Sequence, residues 1–73
     1  MNIDSELQYF CKNIYTLRKK HRLTQLQMAK LLGISAKSLR SIENGKVPPR
    51  LGAHIINQIH ENFHIMPSSL FHP

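Results

Sequence analysis

Residues 23–45, LTQLQMAKLLGISAKSLRSIENG, gather hydrogen-bond donors in a pattern suited to a negatively charged surface. If residues 36–43 are helical, a 100° step per residue from Leu39 carries Ile42 and Glu43 to the inner side. Lys37, Ser41 and Asn44 then face outward, Arg40 lies on one flank, and Ala36 sits near the helix start. Amine, guanidinium, hydroxyl and amide groups with no carboxylate among them can bond phosphate oxygens and base edges. Other chemistry finds less support. The four acids are dispersed, so no carboxylate pair for hydrolysis can be assembled, and no glycine-rich phosphate cradle exists. Cys11 has no base partner and is read as a small apolar residue of the first helix. His60 and His64 have a usable i, i+4 ligand spacing, with His54 and His72 more remote, but no Cys, Asp or Glu completes a site. No metal, no cofactor and no enzymatic activity are therefore expected.

The elements that must position these groups read as helices. Leu7, Phe10, Ile14 and Leu17 form one stripe of a first helix, with Asp4 or Ser5 as its cap and Lys19, Lys20 and Arg22 as cations at its end. Thr24 opens a T-x-x-Q capping box with Gln27, and Gly33 ends the short second helix in a left-handed conformation. The backbone N–H groups at the start of that helix point toward an anion. Ser35 caps a third helix with Leu39 and Ile42 inside, and Asn44-Gly45 ends it. Pro48-Pro49 makes a stiff connection. A fourth helix starts between Arg50 and Ala53 and carries Ile55, Ile56, Ile59 and Phe63. Pro67 begins a short terminal helix with Leu70 and Phe71. The expected fold is all-α: one compact domain of about five short helices over residues 1–73. The tight turn between the second and third helices, about residues 24–44, makes a helix-turn-helix. Ala29 is small where these two helices come closest, and Ile34 plugs the space between them.

Composition narrows the class further. Seventy-three residues, 41% of them hydrophobic, fit one domain and leave little room for a deep cleft. No apolar run approaches the ~18 residues of a membrane span. The chain opens with no secretory leader, and its single cysteine cannot form an internal disulfide, so a reducing, cytoplasmic setting is expected. Ten Lys and Arg against four acids give +6. All ten bases and three of the acids fall in residues 1–50, a balance of +7, while Glu61 alone leaves residues 51–73 at −1. A basic surface for a polyanion and a separate aliphatic surface for self-association follow from that asymmetry. Ile55, Ile56, Ile59, Phe63, Ile65, Leu70 and Phe71 exceed what one stripe should hide, so an exposed patch is expected there.

The string L-T-Q-x-x-x-A-x-x-x-G-I-S, followed six residues later by E-N-G, resembles the Cro and lambda-repressor (Xre) class of helix-turn-helix DNA-binding domains. The resemblance extends back to Asn13, Leu17 and Arg18 and forward through Pro49, Ile59, Phe63, Pro67 and Leu70-Phe71. Two departures stand out: a link after Gly45 two residues longer than usual, and His64 where a helix-ending Gly is common. The resemblance implies that the third helix is the recognition helix, with Ala36, Lys37 and Ser41 at base-reading positions and Arg40 able to reach a base or a phosphate. It places the phosphate clamps at Thr24, Gln25 and Asn44. Lys46 and Arg50 in the following loop are added as backbone or minor-groove contacts. It also implies a structural pair of Arg18 with Glu43, an acid whose inward position needs a partner.

Sequence and resemblance together point to a sequence-specific regulator of transcription. It would bind double-stranded DNA as a homodimer through residues 51–73 and act as a repressor. The alternative is a protein-interaction module, such as the antitoxin of a toxin–antitoxin pair, with a toxin or another protein as partner and no membrane involved.

Overall fold

Helix α1, Ile3–Lys20, forms because its apolar residues recur on one side and nothing within it breaks the ladder. The computed structural model describes residues 3–47 and 51–73, with side chains from Ser5 onward. The Pro48-Pro49 connection and the Arg50 contact lie outside the described residues. The helix already begins at Ile3, so Asp4 and Ser5 both sit in its first turn and neither is its cap; no Pro or Gly precedes them to stop the helix sooner. The buried face is Phe10, Cys11, Ile14 and Leu17. Leu7, expected in that stripe, is 39% exposed and lines the edge of an apolar groove with Phe10, Val47, Ile56 and Phe71.

Helix α2, Gln25–Leu32, starts with a reciprocal capping box. The Gln27 N–H donates to Thr24 Oγ1 at 3.1 Å, and the Thr24 N–H donates to Gln27 Oε1 at 2.8 Å. Helix α3, Ala36–Glu43, starts at Ser35, whose Oγ accepts the Ser38 N–H at 3.0 Å. Three helix ends close in the same way. The Leu23 N–H reaches the Arg18 carbonyl and the Arg22 N–H that of Lys19. Ile34 and Gly33 repeat this on Ala29 and Lys30, and Lys46 and Gly45 on Ser41 and Ile42. The left-handed position is glycine in the last two cases, with φ of +68° at Gly33 and +91° at Gly45, but an arginine in the first, φ +55° at Arg22.

Helix α4, Gly52–Phe63, begins after Leu51 with no side-chain cap and ends at His64, φ +58°. His64 thus takes the left-handed conformation for which glycine is the usual residue, and its N–H bonds the His60 carbonyl at 3.0 Å. The chain finishes in a 3-10 turn, Pro67–Phe71, held by the Ser69 N–H on the Met66 carbonyl at 3.0 Å. Among the described residues the fold therefore has four α-helices and this 3-10 turn where five helices were expected. No strand occurs among the described residues.

Helix α1 packs on α3 and on the 3-10 turn, while α2 packs on α3 and α4. The shared core comprises Phe10, Ile14, Met28, Leu32, Leu39, Ile42, Ile55 and Ile59, all fully buried, with Ala29 and Leu70 beside them. Ile34 is half-buried against this core. Phe71 stacks on Phe10 at 5.5 Å, and Asn13 Nδ2 donates to the carbonyls of Leu70 (2.8 Å) and His72 (2.7 Å). These contacts fold the C-terminal end onto α1. Together with the packing of α4 on α2 they account for most of the apolar surplus read from residues 51–73. Ile55, Ile59 and Leu70 are core, and Ile56, Phe63, Ile65 and Phe71 are half-buried against it. The exposed patch expected there is reduced to Met66 among large hydrophobics of residues 51–73.

Candidate nucleic-acid interface

The two short helices present the donors that the sequence singles out. Leu39 and Ile42 are fully buried, which fixes the rotation of α3 and turns Lys37 and Arg40 into solvent. Ala36 and Ser41 of the same helix are half-buried, and Asn44 and Lys46 are exposed at its C-terminal end. Gly33 sets the angle between α2 and α3: its φ of +68° suits glycine, and a Cβ there would lie 2.9 Å from His54 Nε2. The His54 side chain of α4 thus lies close beside the turn.

Glu43, the one acid of α3, does not face outward. Arg18 Nε donates to Glu43 Oε2 at 2.7 Å and Arg18 Nη2 to Oε1 at 2.9 Å, with the two side chains only 10% and 7% exposed. This is a two-pronged guanidinium–carboxylate pair between α1 and α3. Arg18 Nη1 also donates to the Leu23 carbonyl at 3.0 Å, so one side chain ties the end of α1, the entry to α2 and the end of α3. The hydrogen bond to Glu43 raises the Arg18 pKa above its already high ordinary value, so the guanidinium stays charged. The exposed face of α3 keeps its positive balance because its only carboxylate is neutralised beneath it.

Thr24 and Gln25 already have partners within the fold. Thr24 Oγ1 holds the capping box, and Gln25 Nε2 donates to Glu43 Oε1 at 3.2 Å. The carboxylate that holds Arg18 thereby orients the amide at the start of α2. The N–H groups of Gln25 and Leu26, in the first turn, have no intrahelical acceptor to satisfy. Sequence reasoning missed this Gln25–Glu43 link, since residues 18 apart carry no local signal of contact. It also missed Tyr15, whose ring lies 5.4 Å from the Arg18 guanidinium carbon and 5.7 Å from Lys19 Nζ. The i+3 and i+4 spacing from Tyr15 was the available clue.

The remaining candidates stay apart. Among the described residues no group of three His, Cys, Asp or Glu could hold a metal ion. His60 turns Nδ1 toward the Ile65 carbonyl at 3.3 Å, and His21 packs on Phe63 at 4.9 Å. Cys11 is buried, and burial pushes its thiol pKa up, away from the nucleophilic thiolate. Among the described residues no helix is long and apolar enough to cross a membrane.

A fold of this kind, with two short helices joined by a glycine turn and an exposed basic second helix, defines a helix-turn-helix domain. The profile of a family described as "Helix-turn-helix domain" matches residues 11–72, and the chain belongs to that DNA-binding family. Among curated proteins, the chain is 59% identical over 34 residues to "Antitoxin PezA" of Streptococcus pneumoniae serotype 4. That stretch is 47% of this chain and 22% of the antitoxin, so the likeness spans about a fifth of the relative's length. No solved structure matches.

Proposed function

We propose that this protein is a sequence-specific transcriptional regulator of the Cro and lambda-repressor (Xre) class. It inserts α3 into the major groove of double-stranded DNA and represses the promoter its operator overlaps. The observation that carries this reading is the division of charge on α3: Lys37 and Arg40 lie in solvent while Glu43 is turned inward onto Arg18. Lys37, with Ala36 and Ser41 beside it, reads base edges, and Arg40 adds a base or phosphate contact. Thr24, Gln25, Asn44, Lys46 and Arg50 set the register on phosphates. The protein is no enzyme, takes no cofactor and acts in the cytoplasm as a homodimer joined through residues 51–73. Its two recognition helices are then spaced about 34 Å apart, one duplex turn. Sedimentation with and without a selected palindromic duplex tests the assembly; a monomer under both conditions would refute the homodimer. Selection of binding sites from random duplex DNA tests the function itself, and failure to enrich any motif would overturn it.

The likeness to Antitoxin PezA favours a second reading. On that reading the chain also holds a toxin, using residues 51–73. Affinity purification from the native host distinguishes the two, since an antitoxin brings down a stoichiometric toxin and a free-standing repressor does not.

A further inference from the structure

Where the C-terminal end of the chain folds onto α1, the two enclose a cavity of about 220 Å³ to which neither α2 nor α3 contributes a residue. Asn13, Thr16, Leu17 and Lys20, at i, i+3, i+4 and i+7 on one face of α1, supply one wall. Ile65, Ser69 and Leu70 supply the other. Leu17 and Leu70 are buried and Ile65 is half-buried, which makes the floor apolar. Thr16, Lys20 and Ser69 are exposed and make a polar rim. The walls are pinned together, since the Asn13 amide donates to the carbonyls of Leu70 and His72 and Phe10 stacks on Phe71. No Asp or Glu lines the cavity, and Lys20 has no carboxylate partner among the described residues.

We propose that this cavity binds a small apolar carboxylate, an acid with a short alkyl or aryl tail. The tail lies against Leu17, Ile65 and Leu70. The carboxylate meets the Lys20 ammonium and accepts hydrogen bonds from the Thr16 and Ser69 hydroxyls. Charge complementarity sets the sign of the head, because the rim offers one cation and no acid. An amine would face Lys20 with nothing to offset the repulsion. Size limits the tail: drug-sized ligands fill about 300–1,000 Å³, more than this cavity holds. A protein surface is the poorer occupant, because the core of such an interface is an apolar patch. None of the exposed large hydrophobics among the described residues lines the cavity. The site goes beyond the DNA-binding reading and does not depend on it.

The test is an amide-resolved NMR titration of the DNA-free protein with hexanoate, hexanamide and hexylammonium at constant ionic strength. Wild type, Lys20→Gln, Ser69→Leu and Thr16→Leu are compared, with thermal melts as folding controls. Hexanoate should give saturable shifts confined to the residues around Asn13–Lys20 and Ile65–Leu70, with a dissociation constant on the order of 1 mM for so small a ligand. It should bind about two- to fivefold more tightly than hexanamide, the worth of one exposed ion pair, and hexylammonium should bind more weakly than either. Lys20→Gln should erase the preference for hexanoate over hexanamide and keep the apolar binding. Ser69→Leu and Thr16→Leu fill the cavity from opposite walls, so whichever of them folds should lose all three ligands. No saturable shift at these residues by roughly tenfold the expected constant would overturn the proposal. So would equal binding of hexanoate and hexylammonium. Shifts at these residues that follow protein concentration without ligand, in step with dimer formation by sedimentation, would overturn it by making a second copy the occupant.

Discussion

Arg18 grips both oxygens of Glu43, at 2.7 and 2.9 Å, from a helix 25 residues away in sequence. Both side chains are nearly out of water, so removing either leaves a charge that solvent cannot reach. The break should cost about 3 kcal/mol or more. A domain of this size has only about 4–11 kcal/mol of stability in total. Arg18→Met and Glu43→Gln should therefore lower the melting temperature by about 10 °C or more. The double variant Arg18→Met/Glu43→Met should recover part of the loss, because no charge is then stranded. Single variants that melt with the wild type would show that the pair does not brace the fold.

The three similar helix ends give a second comparison. At Gly45, φ is +91° and no atom lies near an added Cβ, so Gly45→Ala isolates the backbone cost, about 1 kcal/mol. Gly33→Ala adds the displacement of the His54 ring and should be the more destabilising of the two, with the difference shrinking in a His54→Ala background. Arg22 holds the left-handed position without being glycine. Arg22→Gly relieves that conformation but frees the unfolded chain, for a net gain of about 0.5–1 kcal/mol. A chemical denaturation series orders these variants. A destabilised Arg22→Gly would mean that the side chain contributes more than its backbone strain removes.

Cys11 supplies a pH dependence. Burial raises its pKa in the folded protein above the ~8.5 of a free thiol. Above that unfolded value the unfolded chain releases its proton while the folded one still holds it, so stability falls as pH rises. Below the unfolded value both states carry the proton and no dependence remains. Denaturation midpoints between pH 7 and pH 10 should decline more steeply for the wild type than for Cys11→Ala. Alkylation of the native protein at pH 8.5 should run well behind that of the unfolded chain. Equal alkylation rates would place the thiol in solvent.

The positions of the helices were legible in the sequence where local rules decide them. The Thr24–Gln27 capping box, Ser35 and the glycine ends at Gly33 and Gly45 act within a few residues, and each occupies its place in the structure. So do Leu39 and Ile42, whose burial turns Lys37 and Arg40 outward. What was hidden depends on tertiary partners. Leu7 has the right period for the core but reaches past the body that α3 and α4 provide, whereas Cys11 falls against it. The apolar residues of 51–73 looked surplus because no local pattern shows that α4 packs on α2 and that Asn13 and Phe10 hold the C-terminal end on α1. The hydrogen bond of Gln25 to Glu43 depends on how α2 crosses α3, which no local pattern sets.

On the proposed function, the exposed face of α3 reads DNA bases, with Lys37 as its principal reader. Lysine in the major groove pairs with the O6 and N7 acceptors of guanine, and one such contact carries roughly 1–3 kcal/mol of discrimination. The most direct measurement is a parallel selection of duplex sites by the wild type, Lys37→Ala and Lys46→Ala. The wild type should select a palindromic consensus. Lys37→Ala should lose its preference at one base pair per half-site, while Lys46→Ala should keep the consensus and bind all sequences more weakly. An unchanged consensus for Lys37→Ala, with uniformly weaker and less salt-dependent binding, would contradict it and reduce Lys37 to a phosphate contact.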